Sequence, residues 1–211
     1  MEGFFDDLID NFRKNGRIEE MRQIAYANKF IFKDREKFSS QDYLLKSFSI
    51  FNGKKDKRLK GIMNKEELAF NADLRVYDYW YFGDFKKRKT TIFEIKCAEF
   101  DFSKFELRTK GILNKMSELV LSKEKAFPNA TEFHINYEIV TDEPLDLETE
   151  LNSQSLDFIM GKKNMLVEGE GDYLLVYFLH KQIPARDIME EYEDVLDFID
   201  TIFKSDEGEF V

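Results

Sequence analysis

Three residues near the middle of the chain have the types and spacing of a divalent-metal site. Asp84 lies ten residues before Glu94, and Lys96 follows Glu94 with one residue between them. In many metal-dependent nucleases, two carboxylates bind Mg²⁺ while a lysine positions the attacking water or the phosphate. The spacing therefore gives one hypothesis, a Mg²⁺-dependent phosphodiesterase or nuclease built on Asp84, Glu94 and Lys96.

The same residues have a simpler interpretation as an exposed charge pair. Asp84 follows a glycine instead of a proline, and Glu-x-Lys is common in exposed strands of a chain in which 35% of the residues are charged. Strand alternation puts Glu94 and Lys96 on the face opposite Phe93 and Ile95, where they would pair with charges on neighbouring strands. We therefore favour a non-enzymatic protein and keep the metal site as the alternative.

A further acid interrupts an otherwise apolar face. Asp78 lies between Val76 and Trp80, which share its side of a predicted strand. A carboxylate in that position needs hydrogen bonds or an opposite charge. A buried acid can be catalytic, but ion-pair networks also bury carboxylates without catalysis. We predict that Asp78 is structural and paired with Arg108 or with backbone amides.

Two short segments rich in basic residues should meet at one end of the sheet. An antiparallel hairpin places the start of one strand, near residue 58, beside the end of the next, near residue 82. The basic residues of the flanking loops are Lys54, Lys55, Lys57, Arg58, Lys60, Lys86, Lys87, Arg88 and Lys89. With Asp56 and Asp84 subtracted, the local charge is +7 (9 − 2) on a chain of net charge −10.

This asymmetry predicts a binding edge for an anionic partner. An acidic protein segment, a phosphorylated ligand and a lipid headgroup all fit such a charge pattern. The alternative is that the lysines only keep an exposed sheet edge from pairing with other chains.

The other reactive side chains give no second site. Cys97 shares a strand face with Phe93 and Ile95, which is typical of a small core residue. His134 and His180 are the two histidines, and neither has a clear acidic partner for a metal site or a catalytic triad. The glycines of "EGEGD" precede a predicted strand, whereas a dinucleotide site needs a helix there. We predict no cofactor.

Composition limits the class of protein and its location. The chain has 211 residues and 43% hydrophobic content, including 22 Phe and 9 Tyr, which suits one globular domain. The net charge argues against extended binding to nucleic acid or anionic membrane, so such a contact must be local. A single cysteine and the lack of a long apolar run predict a cytoplasmic protein with no membrane span.

Hydrophobic periodicity predicts strands framed by helices. Helices are predicted at 17–29, from about residue 40, at 144–163 and at 184–204. Strands are predicted at 30–32, 58–64, 68–82, 89–98, 104–110 and 131–139, followed by a hairpin within 165–181. The sequence "NAD" at 71–73 is an alternative turn that would split the long run at 68–82.

Strands in runs, with helices grouped around them, predict an α+β fold with a mainly antiparallel sheet. N-terminal helices precede the sheet, and a long C-terminal helix packs on it. A small barrel of the pleckstrin-homology type is the alternative. We divide the chain into an N-terminal helical segment (1–53), a sheet domain with its C-terminal helix (54–204) and a tail (205–211).

Three segments resemble a bacterial protein family without an assigned function. They are "VYDYWY", "FELRTKG" and "LVEGEGDYLLVYF", where the family has F-D-Y-x-Y, F-x-L-R-P-E-like and G-D-x-L-x-V-Y segments. The matching positions are Asp78, Tyr79, Tyr81, Phe105, Leu107, Arg108, Gly171, Asp172 and Tyr177. Tyr77 replaces the first phenylalanine, and Thr109 and Lys110 replace Pro-Glu. The resemblance implies one recurring domain and no activity.

Overall fold

One antiparallel sheet with helices on both faces forms the protein. The computed structural model describes residues 16–38, 43–68, 71–83, 86–110, 126–162 and 164–203. The strands are β1 Ile31–Lys37, β2 Lys55–Leu68, β3 Ala72–Gly83, β4 Lys86–Cys97, β5 Phe102–Thr109, β6 Tyr137–Thr141, β7 Met165–Gly171 and β8 Tyr173–Phe178. The helices are α1 (residues 16–27), α2 Tyr43–Ser47, α3 Thr131–Asn136, α4 Pro144–Glu150, α5 Ser153–Gly161 and α6 Ile188–Phe203, with a 3-10 turn at Ala185–Asp187.

The strand order is β1-β2-β3-β4-β8-β7-β5-β6, and every neighbouring pair is antiparallel. The predicted α+β class with a mainly antiparallel sheet is therefore confirmed. In this order β1 and β6 lie at opposite edges, and they do not pair with each other within the described residues. The sheet is open, unlike the pleckstrin-homology barrel that was the alternative.

The first layer of helices covers one face of the sheet. Ala72, Leu74 and Val76, which share one face of β3, are buried against this layer. The C-terminal helix α6 contributes Tyr192 and Phe198 to the same core, and α1 contributes Met21. The apolar stripe of α6 thus packs on this face of the sheet, as was predicted for the long C-terminal helix.

The opposite face of β3 is also buried, although only one face was predicted to be core. Tyr77, Tyr79 and Tyr81 form a second core with α2 and the turn that follows it. The rings of Phe51 and Tyr79 meet edge to face, with centroids 4.9 Å apart. Tyrosine suits this face because its ring is apolar, while the hydroxyls of Tyr77 and Tyr81 reach Glu94 and His180.

Local structure differs from the sequence prediction at three places. The run at 68–82 is split, because β2 ends at Leu68 and β3 begins at Ala72, as the alternative turn required. Residues 131–136 form α3 before β6, and the rings of Phe133 and Tyr137 stack across the junction with centroids 5.0 Å apart. The predicted helix at 144–163 is two helices, α4 and α5.

The N-terminal segment contributes a strand as well as helices. Within 1–53, β1 overlaps the short strand predicted at 30–32, and it pairs with β2 across the proposed boundary at residue 54. The division at that residue stays a prediction. The tail at 205–211 lies outside the described residues.

Candidate functional site

The register of three strands brings the predicted basic residues to one end of the sheet. Lys55 pairs with Phe82 and Arg58 with Trp80 across β2 and β3. The next strand, β4, pairs Lys87 with Phe82 and Lys89 with Trp80. We call the nine basic residues predicted at 54–60 and 86–89 the basic end. The two segments thus lie in β2 and β4, on either side of β3, at the same end of the sheet.

One face of the basic end has aromatic residues along its centre. Residues directly opposite in an antiparallel pair share a face, so Trp80 and Phe82 lie between basic residues of both flanking strands. Lys60 Nζ is 4.0 Å and Lys89 Nζ 4.2 Å from the Trp80 ring centroid, within the range of a cation–π contact. Phe82 is 39% exposed. We call Trp80 and Phe82 the aromatic column.

The opposite face of this end holds a second group of lysines. Lys54 Nζ lies 5.7 Å from the Tyr81 ring centroid, and Lys57 Nζ lies 4.9 Å from that of Phe38. The pKa of Lys57 is lowered by burial and then by the nearby charges of Lys46 and Lys54. Lysines that repel one another in this way are stabilised when an anion binds among them.

Asp78 lies next to the aromatic column, where the helical layer ends. Its carboxylate is 2% exposed and accepts two hydrogen bonds from Arg17, from Nε at 3.1 Å and from Nη2 at 3.2 Å. Thr91 Oγ1 donates a hydrogen bond to Asp78 Oδ1 at 2.8 Å, and the side-chain amide of Gln182 donates one to Asp78 Oδ2. The acid is therefore buried and paired, as expected of a structural residue.

The arginine that pairs with Asp78 is Arg17 and not Arg108. Arg108 lies on β5, with its Nε 3.1 Å from Glu138 and its Nη1 3.6 Å from Glu106. Three strands, β4, β8 and β7, lie between β3 and β5 in the sheet, so Arg108 and Asp78 belong to distant parts of the sheet. The prediction of an Asp78–Arg108 pair is wrong.

Glu94 is buried, whereas the sequence suggested an exposed charge pair. The carboxylate is 3% exposed and accepts hydrogen bonds from Arg75 Nη1 at 3.1 Å and from the Tyr77 hydroxyl at 2.7 Å. Burial, and then the charge of Glu94, raises the pKa of Tyr77 well above its usual value. Lys96 is exposed, with Nζ 3.6 Å from Asp172. Arg75, Glu94 and Lys96 line a groove of about 380 Å³ in which the arginine balances the charge of Glu94.

The alternative metal site stays a prediction, because Asp84 lies outside the described residues. The two other residues, Glu94 and Lys96, lie on β4, where Glu94 is paired with Arg75 and Tyr77. Among the described residues, no group of three or more His, Cys, Asp or Glu side chains is arranged to hold a metal.

The cysteine and the histidines are used in local contacts. Cys97 is buried, which raises the pKa of its thiol. His134 lies on α3 with Nε2 3.0 Å from the carbonyl oxygen of Phe127. His180 Nδ1 is 2.9 Å from the Tyr81 hydroxyl. In these contacts, none of the three side chains pairs with an acidic residue of the described part of the chain.

Sequence reasoning missed a buried acid on β7. Glu168 is 3% exposed and accepts hydrogen bonds from the backbone N–H groups of Ser49 and Ile50 and from the Tyr177 hydroxyl. It thereby holds the turn after α2 against the sheet. The available sequence clue was that Glu168 shares a strand face with Leu166 in an apolar hairpin, where a carboxylate needs partners.

Glu106 faces Glu168 across β5 and β7, and its titration gives a testable pH dependence. Burial, and then the charge of Glu168, raises the pKa of Glu106. Because the folded chain holds this proton to higher pH than the unfolded chain, stability falls as pH rises from the usual to the raised pKa. Glu106→Gln should therefore stabilise the protein at neutral pH, by up to about 1 kcal/mol for one like-charge cross-strand pair.

Urea unfolding of the wild type and Glu106→Gln between pH 4 and pH 7, spanning the usual carboxyl pKa, measures this effect. The difference in stability should shrink toward the acid end of the range. Glu20→Gln, an exposed substitution on α1, is the control. Equal stability of the wild type and Glu106→Gln at every pH would contradict the prediction.

The comparisons with known proteins identify a related fold. No protein-family model and no curated protein matches the sequence. The fold is similar to the crystal structure of the mycobacterial trehalose monomycolate transport factor A, TtfA, with a TM-score of 0.57 over 88% of this chain and 92% of that chain. The two sequences are 11% identical, so the likeness shows a shared fold. The resemblance to a bacterial family stays a prediction.

No helix in the described part of the chain has both the length and the apolar character needed to cross a membrane.

Proposed function

We propose that this protein is a non-enzymatic binding module whose basic end receives an anionic partner. The observation that carries the proposal is the concentration of nine basic residues at one end of the sheet in a chain of net charge −10. Such a local field attracts an acidic protein segment, a phosphorylated ligand or a lipid headgroup, while the rest of the surface repels them.

Two further observations support binding over catalysis. The buried acids Asp78 and Glu94 are each neutralised by an arginine, which suits a structural role. The protein that shares the fold is named as a transport factor, and a role of that kind requires binding.

Polyanion binding tests the proposal. Inorganic polyphosphate and polyglutamate would be titrated into the wild type and into a variant with Lys86, Lys87, Arg88 and Lys89 changed to alanine. We expect the wild type to bind at least one of them with an affinity that falls as salt is raised, because salt screens exposed charges. The fourfold variant should bind about tenfold more weakly.

A matched variant separates local charge from total charge. Changing Lys29, Lys96, Lys104 and Lys110 to alanine removes the same formal charge from exposed positions away from the basic end. This control should retain most of the wild-type affinity. Equal losses in the two variants, or binding that does not respond to salt, would remove the basic end as the site.

We also propose a cytoplasmic location and an N-terminal unit ending near residue 53. The single cysteine, Cys97, is buried, which suits a reducing compartment because no disulfide is formed within the chain. The anionic partner of the basic end would then be one that is present in the cytoplasm.

A further inference from the structure

We propose that the partner of the basic end is the anionic surface of a lipid bilayer, with the aromatic column among the headgroups and the flanking lysines on their charged groups. This inference rests on the proposed function, since it names the source of the anionic groups. It adds the aromatic column, which the charge argument alone does not use.

The exposure of the side chains increases toward the end of β3. At Asp78, the sheet is still covered by Arg17 of α1 and by Gln182, and this carboxylate is 2% exposed. Two residues on, Trp80 is half-buried, and Phe82 is 39% exposed. The end of β3 therefore extends past the helices that the structure describes, and its aromatic side chains are partly exposed.

Basic residues border the aromatic column on both sides. Phe82 lies between Lys55 and Lys87, and Trp80 lies between Arg58 and Lys89. Aromatic rings bordered by lysines suit a bilayer interface, where rings enter the headgroup region and ammonium groups remain at its charged surface.

The composition of the basic end favours a bilayer over a protein partner. Seven of the nine residues of the basic end are lysines, and two are arginines. Lysine is depleted in protein–protein interfaces, where arginine is enriched. Its flexible stem carries a point charge that suits a fluid array of headgroups, whereas arginine suits fixed bidentate partners.

The contacts of Trp80 disfavour nucleic acid, the other common polyanion, as the partner. Single-stranded nucleic acid would stack its bases on exposed aromatic faces. The ammonium groups of Lys60 and Lys89 already lie 4.0 Å and 4.2 Å from the Trp80 ring centroid. A base would have to displace them, whereas lipid headgroups can approach the same lysines from outside.

The charge distribution gives the protein a preferred orientation at an anionic bilayer. The basic end has a local charge of +7, so the remainder of the chain carries −17 (−10 − 7). An anionic bilayer repels that remainder and attracts the basic end, which gives one preferred approach. Both forces act within about one Debye length of the surface, roughly 8 Å at physiological salt.

The sequence supplies its own probe for this contact. Trp80 is the single tryptophan of the chain, so intrinsic tryptophan fluorescence reports on the aromatic column alone. The full chain would be titrated with phosphatidylcholine vesicles, with and without about 30% phosphatidylserine. We expect a blue shift of Trp80 emission with the anionic vesicles, and quenching when their lipids carry bromine on the acyl chains.

Variants then separate insertion from charge attraction. Phe82→Ser should lower the partition into anionic vesicles by about tenfold, because it removes the exposed aromatic ring. It should leave polyphosphate affinity within about twofold, because it changes no charge. Tyr26→Ser removes a ring that is 67% exposed on α1 and should change neither measurement.

The possible outcomes distinguish this inference from the proposed function. Salt-dependent binding to polyphosphate or polyglutamate, with Trp80 emission unmoved and unquenched by anionic vesicles, would overturn the bilayer and leave the anion site in place. Vesicle binding unaffected by Phe82→Ser would overturn the insertion of the aromatic column. Lack of binding to polyphosphate, polyglutamate and vesicles would overturn both proposals together.

Discussion

Asp78→Ala is expected to lower the free energy of unfolding by about 3 kcal/mol or more, the range found when one member of a buried ion pair is removed. The substitution would leave the guanidinium of Arg17, which is 14% exposed, without its carboxylate. The hydroxyl of Thr91 and the amide of Gln182 would lose the same acceptor. Because the bond links α1 to β3 over 61 positions, its loss should also loosen α1.

Chemical denaturation and hydrogen exchange in α1 would measure these effects. Asp78→Asn keeps the size of the side chain and removes its charge, so its loss of stability should be smaller. Asp101→Ala, an exposed substitution, should change stability by less than about 0.5 kcal/mol. In a double-mutant cycle, Arg17→Ala and Asp78→Ala should be strongly non-additive. Additive losses, or an unchanged Asp78→Ala midpoint, would show that the pair contributes nothing.

Glu168→Ala should cost a similar amount, about 3 kcal/mol, because it strands several buried donors at once. The Glu168 carboxylate accepts hydrogen bonds from the backbone N–H groups of Ser49 and Ile50 and from the Tyr177 hydroxyl. Backbone groups cannot turn away to find other partners, so the turn after α2 would lose its attachment to β7. The second core, which this turn covers, would become open to solvent.

Hydrogen exchange separates this local effect from a general loss of stability. Protection should fall most at Ser49 and Ile50, by more than global unfolding of the variant explains. Glu168→Gln retains an amide oxygen and should lose less, while Glu193→Ala on the exposed side of α6 should lose little. If exchange at Ser49 and Ile50 stayed protected in Glu168→Ala, the carboxylate would not be what holds the turn.

The sequence determined the fold class and the place of the basic end. Composition and strand alternation both reflect which side chains must be buried. Each segment shows that requirement in its own sequence. The basic end followed from hairpin geometry, because β2, β3 and β4 are consecutive in sequence and adjacent in the sheet. Local connections of this kind leave little freedom in which strand ends become neighbours.

Only the tertiary structure decided which charges pair. Asp78 meets Arg17 from 61 positions away, and Glu168 meets Ser49 from 119 positions away. The order β4-β8-β7-β5 is not the sequence order, so strand patterns alone do not place Arg108 relative to Asp78. Alternation shows that a residue faces one side of a strand, but what covers that side depends on distant segments. The burial of Tyr79 and Glu94 on the second face was decided in that way.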